Sequence, residues 1–223
     1  MCGRTSLFAD RDTLQTRFDV TVPEDYTPRY NIAPGEDLAV ITNEAPETIE
    51  HVHWGVIPPW GDGPGDGLIN ARAETVAEKD VFAAAWEARP CLVPSSGFYE
   101  WQPRGGHKQP YRVHREDGLF AMAGLWERWT GGEEPLRTVT ILTTAANDLM
   151  APLHDRMPVI LPPEAESTWL TAEPEERATL CEPYPDEDFE AYEITTRVNS
   201  PANDDPEVIK PLEHEQTGLE EFS

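Results

Sequence analysis

The sequence has few cysteines, almost no lysine and no long apolar run, and each shortage excludes a class of protein. Its three cysteines, Cys2, Cys91 and Cys181, are too few and too scattered for a disulfide framework or a zinc finger. No stretch approaches the roughly 20 apolar residues of a membrane-spanning helix, and the first residues lack the pattern of a secretory signal. We therefore expect a soluble, cytoplasmic protein in which Cys91 and Cys181 are free thiols of the core.

Histidine pairs give no metal signal either. His51 and His53 lie two residues apart on a predicted strand, but no third ligand accompanies them. We expect neither a metal nor a cofactor.

Charge of one sign dominates what is present. The 223 residues hold 42 Asp and Glu against 17 Lys and Arg, a formal net charge of −25, and residues 163–223 are the most acidic part. This balance argues against a conventional nucleic-acid binder with a basic face. Only three of the cations are lysines, which is typical of proteins from salt-accumulating organisms, where salt screens the repulsion. We interpret the chain as one from a halophilic archaeon; the other interpretation is an ordinary acidic protein with neutral or basic partners.

The composition is 39% hydrophobic, with seven Trp, seven Phe and six Tyr, which is enough for a substantial core. Predicted strands and helices alternate irregularly, which favours an α+β fold with a central antiparallel, barrel-like sheet flanked by short helices. We expect one domain over 1–223, with a flexible tail after about 208. Helices are predicted at 11–19, 76–88, 145–153, 163–170 and 175–181, and strands at 38–43, 49–57, 91–93, 97–102, 111–114, 119–126, 138–144, 157–161 and 190–196.

Cys2 follows the initiator methionine, and its small size predicts removal of Met1. An N-terminal cysteine carries an α-amine of pKa about 8 beside a thiol of pKa about 8.5. The amine can serve as the base for its own thiol in amide hydrolysis, or both groups can trap an aldehyde as an imine and then as a thiazolidine ring. Position alone favours an ordinary exposed second residue.

Polar motifs further along the chain change that balance. Asn70 and Arg72 lie two residues apart, so on a strand they share one face. Glu100 lies in the run Phe-Tyr-Glu-Trp, where burial among aromatic rings raises a carboxyl pKa toward general-acid duty. His154 begins the run His-Asp-Arg-Met-Pro before a predicted strand.

These motifs, in order with the Met-Cys-Gly-Arg start and Ala-Gly-Leu-Trp-Glu at 123–127, resemble the SRAP (SOS response-associated peptidase) family. Its members include proteins that shield abasic sites, and the resemblance runs from Cys2 to about Asn199. It implies binding to single-stranded DNA with abasic sites and covalent attachment through Cys2 as a thiazolidine. We expect the protein to act as a monomer.

The resemblance implies roles for three catalytic residues beside Cys2. His154 would help to open the closed sugar and shuttle protons. Glu100 would protonate the departing oxygen, and Asn70 would position the opened sugar. Each of two residues also has a purely structural interpretation. His154 would be a polar histidine at a helix end, and Glu100 would pair with a nearby arginine.

The resemblance also implies contacts with the DNA strand. Arg4, Arg72 and Arg156 match positions that meet phosphate, and Pro34 and Trp60 match apolar positions beside the lesion. For each arginine the structural reading is a salt bridge, and for Trp60 it is ordinary core.

Three functions stay open. The first is an abasic-site sensor that crosslinks through Cys2, and it alone uses both nucleophilic groups of an N-terminal cysteine. The second is an N-terminal-nucleophile amidohydrolase or autoprocessing peptidase, with Asn70 stabilising the oxyanion. The third is a noncovalent reader of modified or single-stranded nucleic acid.

Overall fold

The computed structural model describes residues 3–116 and 118–213, and within them the chain forms thirteen strands and four α-helices. The strands are β1 (Thr5–Leu7), β2 (Arg29–Ile32), β3 (Asp37–Thr42), β4 (Ile49–Trp54), β5 (Asn70–Arg72), β6 (Pro90–Ser95), β7 (Gly97–Arg104), β8 (His107–Arg115), β9 (Phe120–Trp129), β10 (Leu136–Ala145), β11 (Arg156–Pro158), β12 (Ile160–Leu161) and β13 (Phe189–Glu193). The helices are α1 (Arg11–Phe18), α2 (Asp80–Ala88), α3 (Glu166–Thr171) and α4 (Pro174–Thr179).

A closed ring of five strands forms the centre. Its strands pair in the order β10, β4, β3, β6 and β9, and β9 pairs back with β10. The predicted α+β fold with a barrel-like sheet is confirmed. Two pairings depart from the antiparallel prediction, because β10 runs parallel to β5 and, within the ring, to β4, with Thr138 opposite His53. A parallel pair needs a long crossover, which the chain between its two strands supplies.

A second sheet, in the order β13, β8, β7, β1 and β2, is antiparallel throughout. Its longest pairing is the β7–β8 hairpin, in which Arg104 lies opposite His107. The two turn residues, Gly105 and Gly106, both have positive φ, of 49° and 95°. Tight two-residue hairpin turns require such angles, which glycine adopts without steric cost.

Helix α2 illustrates how the core is built. Its buried residues Phe82, Ala85 and Trp86 lie on one face, as helical spacing requires. The ring of Trp86 meets that of Trp169 edge to face, with centroids 6.1 Å apart. The indole N–H of Trp169 donates to the carbonyl of Cys91 at 2.9 Å. Cys91 is fully buried, which raises the pKa of its thiol, so it packs as an inert core residue.

Local signals in the sequence located most elements correctly. The predicted first helix is confirmed as α1, and the side chain of Asp10 accepts from the N–H of Thr13 as its N-cap. The predicted helix over 76–88 breaks at Lys79 into a 3-10 turn followed by α2. The predicted strand over 157–161 breaks at Val159, because this residue bonds β10 through its N–H and β9 through its carbonyl.

The predicted helix over 145–153 is wrong. Strand β10 runs to Ala145, and a series of turns follows it. The Asn147 side chain accepts from the N–H of Met150 at 2.9 Å, the bond of a helix N-cap, but only turns follow it. Pro152 has no N–H to continue a helix. The turns return the chain beside β10, where β11 pairs with it.

The last described residues pack against the rest of the chain, and the predicted flexibility of the tail after about 208 stays a prediction. Val208 is fully buried, and the N–H of Leu212 donates to the carbonyl of Glu193 at 2.8 Å. The rest of the predicted tail, 214–223, lies outside the described residues, and the single domain over 1–223 stays a prediction. No helix in 3–116 or 118–213 has the length and apolar character needed to cross a membrane.

Candidate functional site

A cavity of about 650 Å³ lies at the free end of the β7–β8 hairpin, beside the turns that precede β11. It is lined by Arg4, Glu100, Trp101, Pro103, Lys108, Leu153, His154 and Asn199. Three residues singled out in the sequence, Arg4, Glu100 and His154, therefore meet here from distant parts of the chain. The predicted nucleophile, Cys2, lies outside the described residues.

Glu100 is the buried acid of this cavity. Its side chain lies on β7 and is only 4% exposed. Burial raises the pKa of its carboxyl, while the charge of nearby His154 acts in the opposite direction. A carboxyl with a raised pKa keeps its proton to higher pH than an exposed glutamate, which suits it to donate that proton during a reaction.

His154 lines the same cavity as Glu100, and two local contacts hold its ring. Its Nδ1 atom accepts from the backbone N–H of Arg156 at 3.0 Å, and a carboxylate oxygen of Asp155 lies 2.8 Å from the same atom. When Nδ1 accepts, the neutral ring carries its proton on Nε2. The role of His154 as a proton shuttle stays a prediction.

Two bonds from β7 and one local bond hold the walls of the cavity together. The Gln102 side chain donates to the carbonyl of Pro152 at 3.0 Å, which ties β7 to the turns before His154. The indole N–H of Trp101 donates to the Asn199 side chain at 2.7 Å. The backbone N–H of His154 donates to the carbonyl of Met150 at 2.9 Å. Glu100 and His154 are thus held on elements that are bonded to each other.

Arg4 forms the inner wall and is itself nearly buried. Its guanidinium donates to the side chain of Asn31 at 2.7 Å and to the carbonyl of Val198 at 2.5 Å. The group lies 5.9 Å from the centre of the Trp101 ring, and burial lowers its pKa. These contacts give Arg4 a structural role, and its contact with phosphate stays a prediction.

The other two arginines lie on either side of β10. Arg72 ends β5 opposite Thr143, is exposed, and has no ion-pair partner in the described parts of the chain. Arg156 begins β11 and pairs with both carboxylate oxygens of Glu74, at 2.6 and 2.7 Å. Its hydrogen bonds lower the pKa of Glu74. The salt-bridge reading therefore describes Arg156. Arg72 forms no salt bridge with a described residue, although its charge also helps to lower the pKa of Glu74, and its contact with phosphate stays a prediction.

The remaining predicted residues lie outside the cavity wall. Asn70 is half-buried on β5, opposite Ile141, and it is not among the described residues that line the cavity. Pro34 is exposed in the turn after β2. Trp60 is 71% exposed, so its ring is not core and its face is open to stacking. The roles of these three residues stay predictions.

Five cavity residues were missed by sequence reasoning: Trp101, Pro103, Lys108, Leu153 and Asn199. Trp101 follows Glu100 directly, and Asn199 stands where the family resemblance ends, so both had a signal in the sequence. Lys108 is one of only three lysines, yet only the hairpin register places it beside Pro103 at the cavity. It is exposed and forms no ion pair with a described residue.

The two neighbouring histidines lie apart from this cavity. His51 is 3.7 Å from Asp25, and His53 is 3.8 Å from Asp37. Among residues 3–116 and 118–213, no group of three or more His, Cys, Asp or Glu side chains is placed to hold a metal ion.

Comparison with known proteins agrees with the motifs. Residues 1–201 match the family model of SRAP, SOS response associated peptidase. The chain is 41% identical to abasic site processing protein YoqW of Bacillus subtilis, covering 94% of this chain and 99% of the relative. It is 32% identical to abasic site processing protein YedK of Escherichia coli, and the match covers 95% of this chain and 100% of the relative. A solved protein from Bacteroides thetaiotaomicron shares the fold, with a TM-score of 0.85 and 28% identity over 95% of this chain and all of that one. The chain therefore belongs to the SRAP family.

Proposed function

We propose that this protein processes abasic sites in single-stranded DNA by attaching itself to them through Cys2, after Met1 has been removed. The observation that carries the proposal is the cavity in which Glu100 is buried beside His154. Arg4, two residues after Cys2 in the sequence, lines that same cavity. The names of the relatives, abasic site processing proteins, support the lesion as the substrate.

The chemistry requires proton transfers that Glu100 and His154 can supply. His154 takes the proton of the sugar hydroxyl while Glu100 protonates the ring oxygen, which opens the sugar to its aldehyde. The α-amine of Cys2 adds to the aldehyde carbon, and protonated His154 gives its proton to the resulting hydroxyl, which leaves as water to give an iminium. Glu100 then takes the proton of the Cys2 thiol, and the thiolate adds to the iminium carbon and closes the thiazolidine, which restores both residues to their starting protonation. Overall, one water is released and no oxidant or reductant is needed.

The charges of the surface fit a strand that passes over the cavity. Arg72 and Lys108 are exposed and form no salt bridge with a described residue, although Arg72 is close enough to Glu74 for its charge to lower the pKa of that carboxyl. Each can therefore meet a phosphate without first breaking an ion pair. Trp60, the most exposed large apolar residue described, offers a stacking surface for an unpaired base.

A denaturing gel tests the proposal directly. The protein is incubated with a single-stranded oligonucleotide that carries one abasic site, and we expect a shifted band that survives denaturation. Cys2→Ala and a variant that retains Met1 are expected to lose the band. Cys181→Ala is the matched control, since burial raises the pKa of this thiol to about 12 and makes it a poor nucleophile. The band should form at both high and low salt, and more readily at low salt if phosphate contacts contribute.

The same variants separate the proposal from its rivals. Crosslinking by Cys2→Ala at the parent rate would contradict it. An acyl-enzyme formed on Cys2 from a peptide in the absence of DNA would favour the peptidase. Tight binding to undamaged strands that ignores the Cys2→Ala change would favour the noncovalent reader.

A further inference from the structure

A second cavity, of about 510 Å³, is lined by residues of β8 and α1 and by the residues that follow β1. It is lined by Phe8, Ala9, Thr13, Arg17, Ser96, Arg112, His114, Arg115, Gly118, Leu119 and Pro163. No carboxylate is among these lining residues, although the chain has a surplus of 25 negative charges. The volume is that of a site for a small molecule.

Arg112 supplies a buried cation at this cavity. The residue is 5% exposed, and its guanidinium donates to the hydroxyl of Tyr192 and to the carbonyl of Ser96, both at 2.8 Å. Its Nε–H is buried without a partner in the described parts of the chain. The group also lies 5.5 Å from the ring centre of Phe8. All these contacts are with neutral groups, and none of the described carboxylates pairs with Arg112.

The described carboxylates near the cavity lie beside other basic residues of its lining and not beside Arg112. Glu166 accepts from Arg17 through both oxygens, at 2.9 and 2.5 Å. Asp188 lies 3.8 Å from Arg115, and a carboxylate of β13 lies 3.7 Å from His114. A buried cation without a counter-ion is costly, and an incoming anion would reduce that cost.

Four apolar residues, Phe8, Ala9, Leu119 and Pro163, line the cavity as well, together with the hydroxyl residues Thr13 and Ser96. A ligand that fits must therefore combine one negative group with an apolar body. The guanidinium fork suits a carboxylate or a phosphate equally, since both offer paired oxygens.

We propose that this cavity binds a small organic anion, with its carboxylate or phosphate on Arg112 and its apolar body against Phe8 and Leu119. The site lies on the opposite face of the hairpin from Glu100. It does not require Cys2, so it stands whether or not the proposed crosslinking is correct.

Calorimetric titration of the full chain with three small molecules tests the site. The three molecules share a phenyl ring and differ in the group attached to it. Benzoate and phenyl phosphate carry the negative group, and benzamide is the neutral match. We expect at least one anion to bind with a stoichiometry of one and benzamide to bind about ten-fold more weakly or not at all. The tighter anion identifies the preferred head group. Equal binding of benzamide, or no binding of either anion, would overturn the proposal.

Two variants assign the binding to this cavity. Arg112→Gln should weaken the anion about ten-fold to a hundred-fold, because a charge-assisted contact is lost. Exposed Arg128→Gln, the matched control, should leave affinity unchanged. Ala9→Leu keeps Arg112 but fills part of the cavity, so it should also weaken binding of the anion. This second variant tests the site even if Arg112→Gln does not fold. Undiminished affinity in Ala9→Leu and in a folded Arg112→Gln would contradict the assignment.

Discussion

The two faces of the β7–β8 hairpin carry buried groups of opposite charge. Glu100 lies on β7 opposite Tyr111, and Arg112 lies on β8 opposite Tyr99. Because successive residues of a strand alternate between faces, the carboxyl and the guanidinium project to opposite sides. Glu100 meets a histidine, with which protons can be exchanged, whereas the guanidinium of Arg112 meets neutral groups and always stays charged. One hairpin thus separates a proton-carrying site from a fixed charge.

The largest difference between the faces should appear in crosslinking. Glu100→Gln removes the proton donor, so the crosslink should form about a hundred-fold more slowly. Glu190→Gln makes the same chemical change on β13, beside the Arg112 cavity, and should leave the rate unchanged. Gel time courses measure both rates. If Glu190→Gln formed the crosslink much more slowly than the parent, or Glu100→Gln formed it at the parent rate, the functional distinction between the two faces would be contradicted.

A change at Gly97 should disturb both faces together. Gly97 begins β7 with a φ of 150°, and an added Cβ would lie 2.9 Å from the carbonyl oxygen of Val113. Gly97→Val should therefore lower the free energy of unfolding by about 3 kcal/mol. Gly105→Ala has open space around it and should cost only about 1 kcal/mol. Urea unfolding measures both variants. If both lose the same free energy of unfolding, the close contact between a Cβ at position 97 and Val113 does not destabilise the protein, which would contradict the prediction.

Replacing the buried Arg112 should destabilise the protein more than replacing an exposed arginine. Arg112→Gln leaves the carbonyl of Ser96 and the hydroxyl of Tyr192 without their charged donor. We expect the free energy of unfolding to fall by about 1–3 kcal/mol. Arg128→Gln, on the exposed end of β9, should change it by less than about 0.5 kcal/mol. Equal urea midpoints for the two variants would contradict the buried contacts of Arg112.

The Glu100 face should be the one whose stability depends on pH. Burial raises the pKa of Glu100 above its ordinary 4.5 in the folded state. Between the two pKa values the unfolded chain binds fewer protons than the folded one, so this group lowers stability as the pH rises. Glu100→Gln should therefore melt higher than the parent at neutral pH, and the difference should shrink as the pH falls toward 4.5. A difference in Tm that is constant over about pH 4.5–8 would contradict the raised pKa.

Much of the fold and part of the site followed from short-range signals. The Asp10 cap, the alternation in the longer strands and the aromatic neighbours of Glu100 act within a few residues, so the sequence alone predicts α1, most of the longer strands and the burial of this acid. The ordered motifs likewise predicted the family, which is confirmed. The helix expected over 145–153 failed because the chain between Ala145 and Arg156 must reverse so that β11 can pair with the end of β10, and this sheet pairing leaves no trace in helical periodicity.

What the amino-acid sequence determined by itself was which residue types could do chemistry and which segments could form strands. Only the tertiary structure decided how each charge is used. Arg156 pairs with Glu74, Arg4 is buried on Val198, and Arg112 lines a cavity with no carboxylate partner among the described residues. The physical reason is that the energy of a charge depends on its burial and on its nearest partners, and both are set by strands that come together from distant parts of the chain.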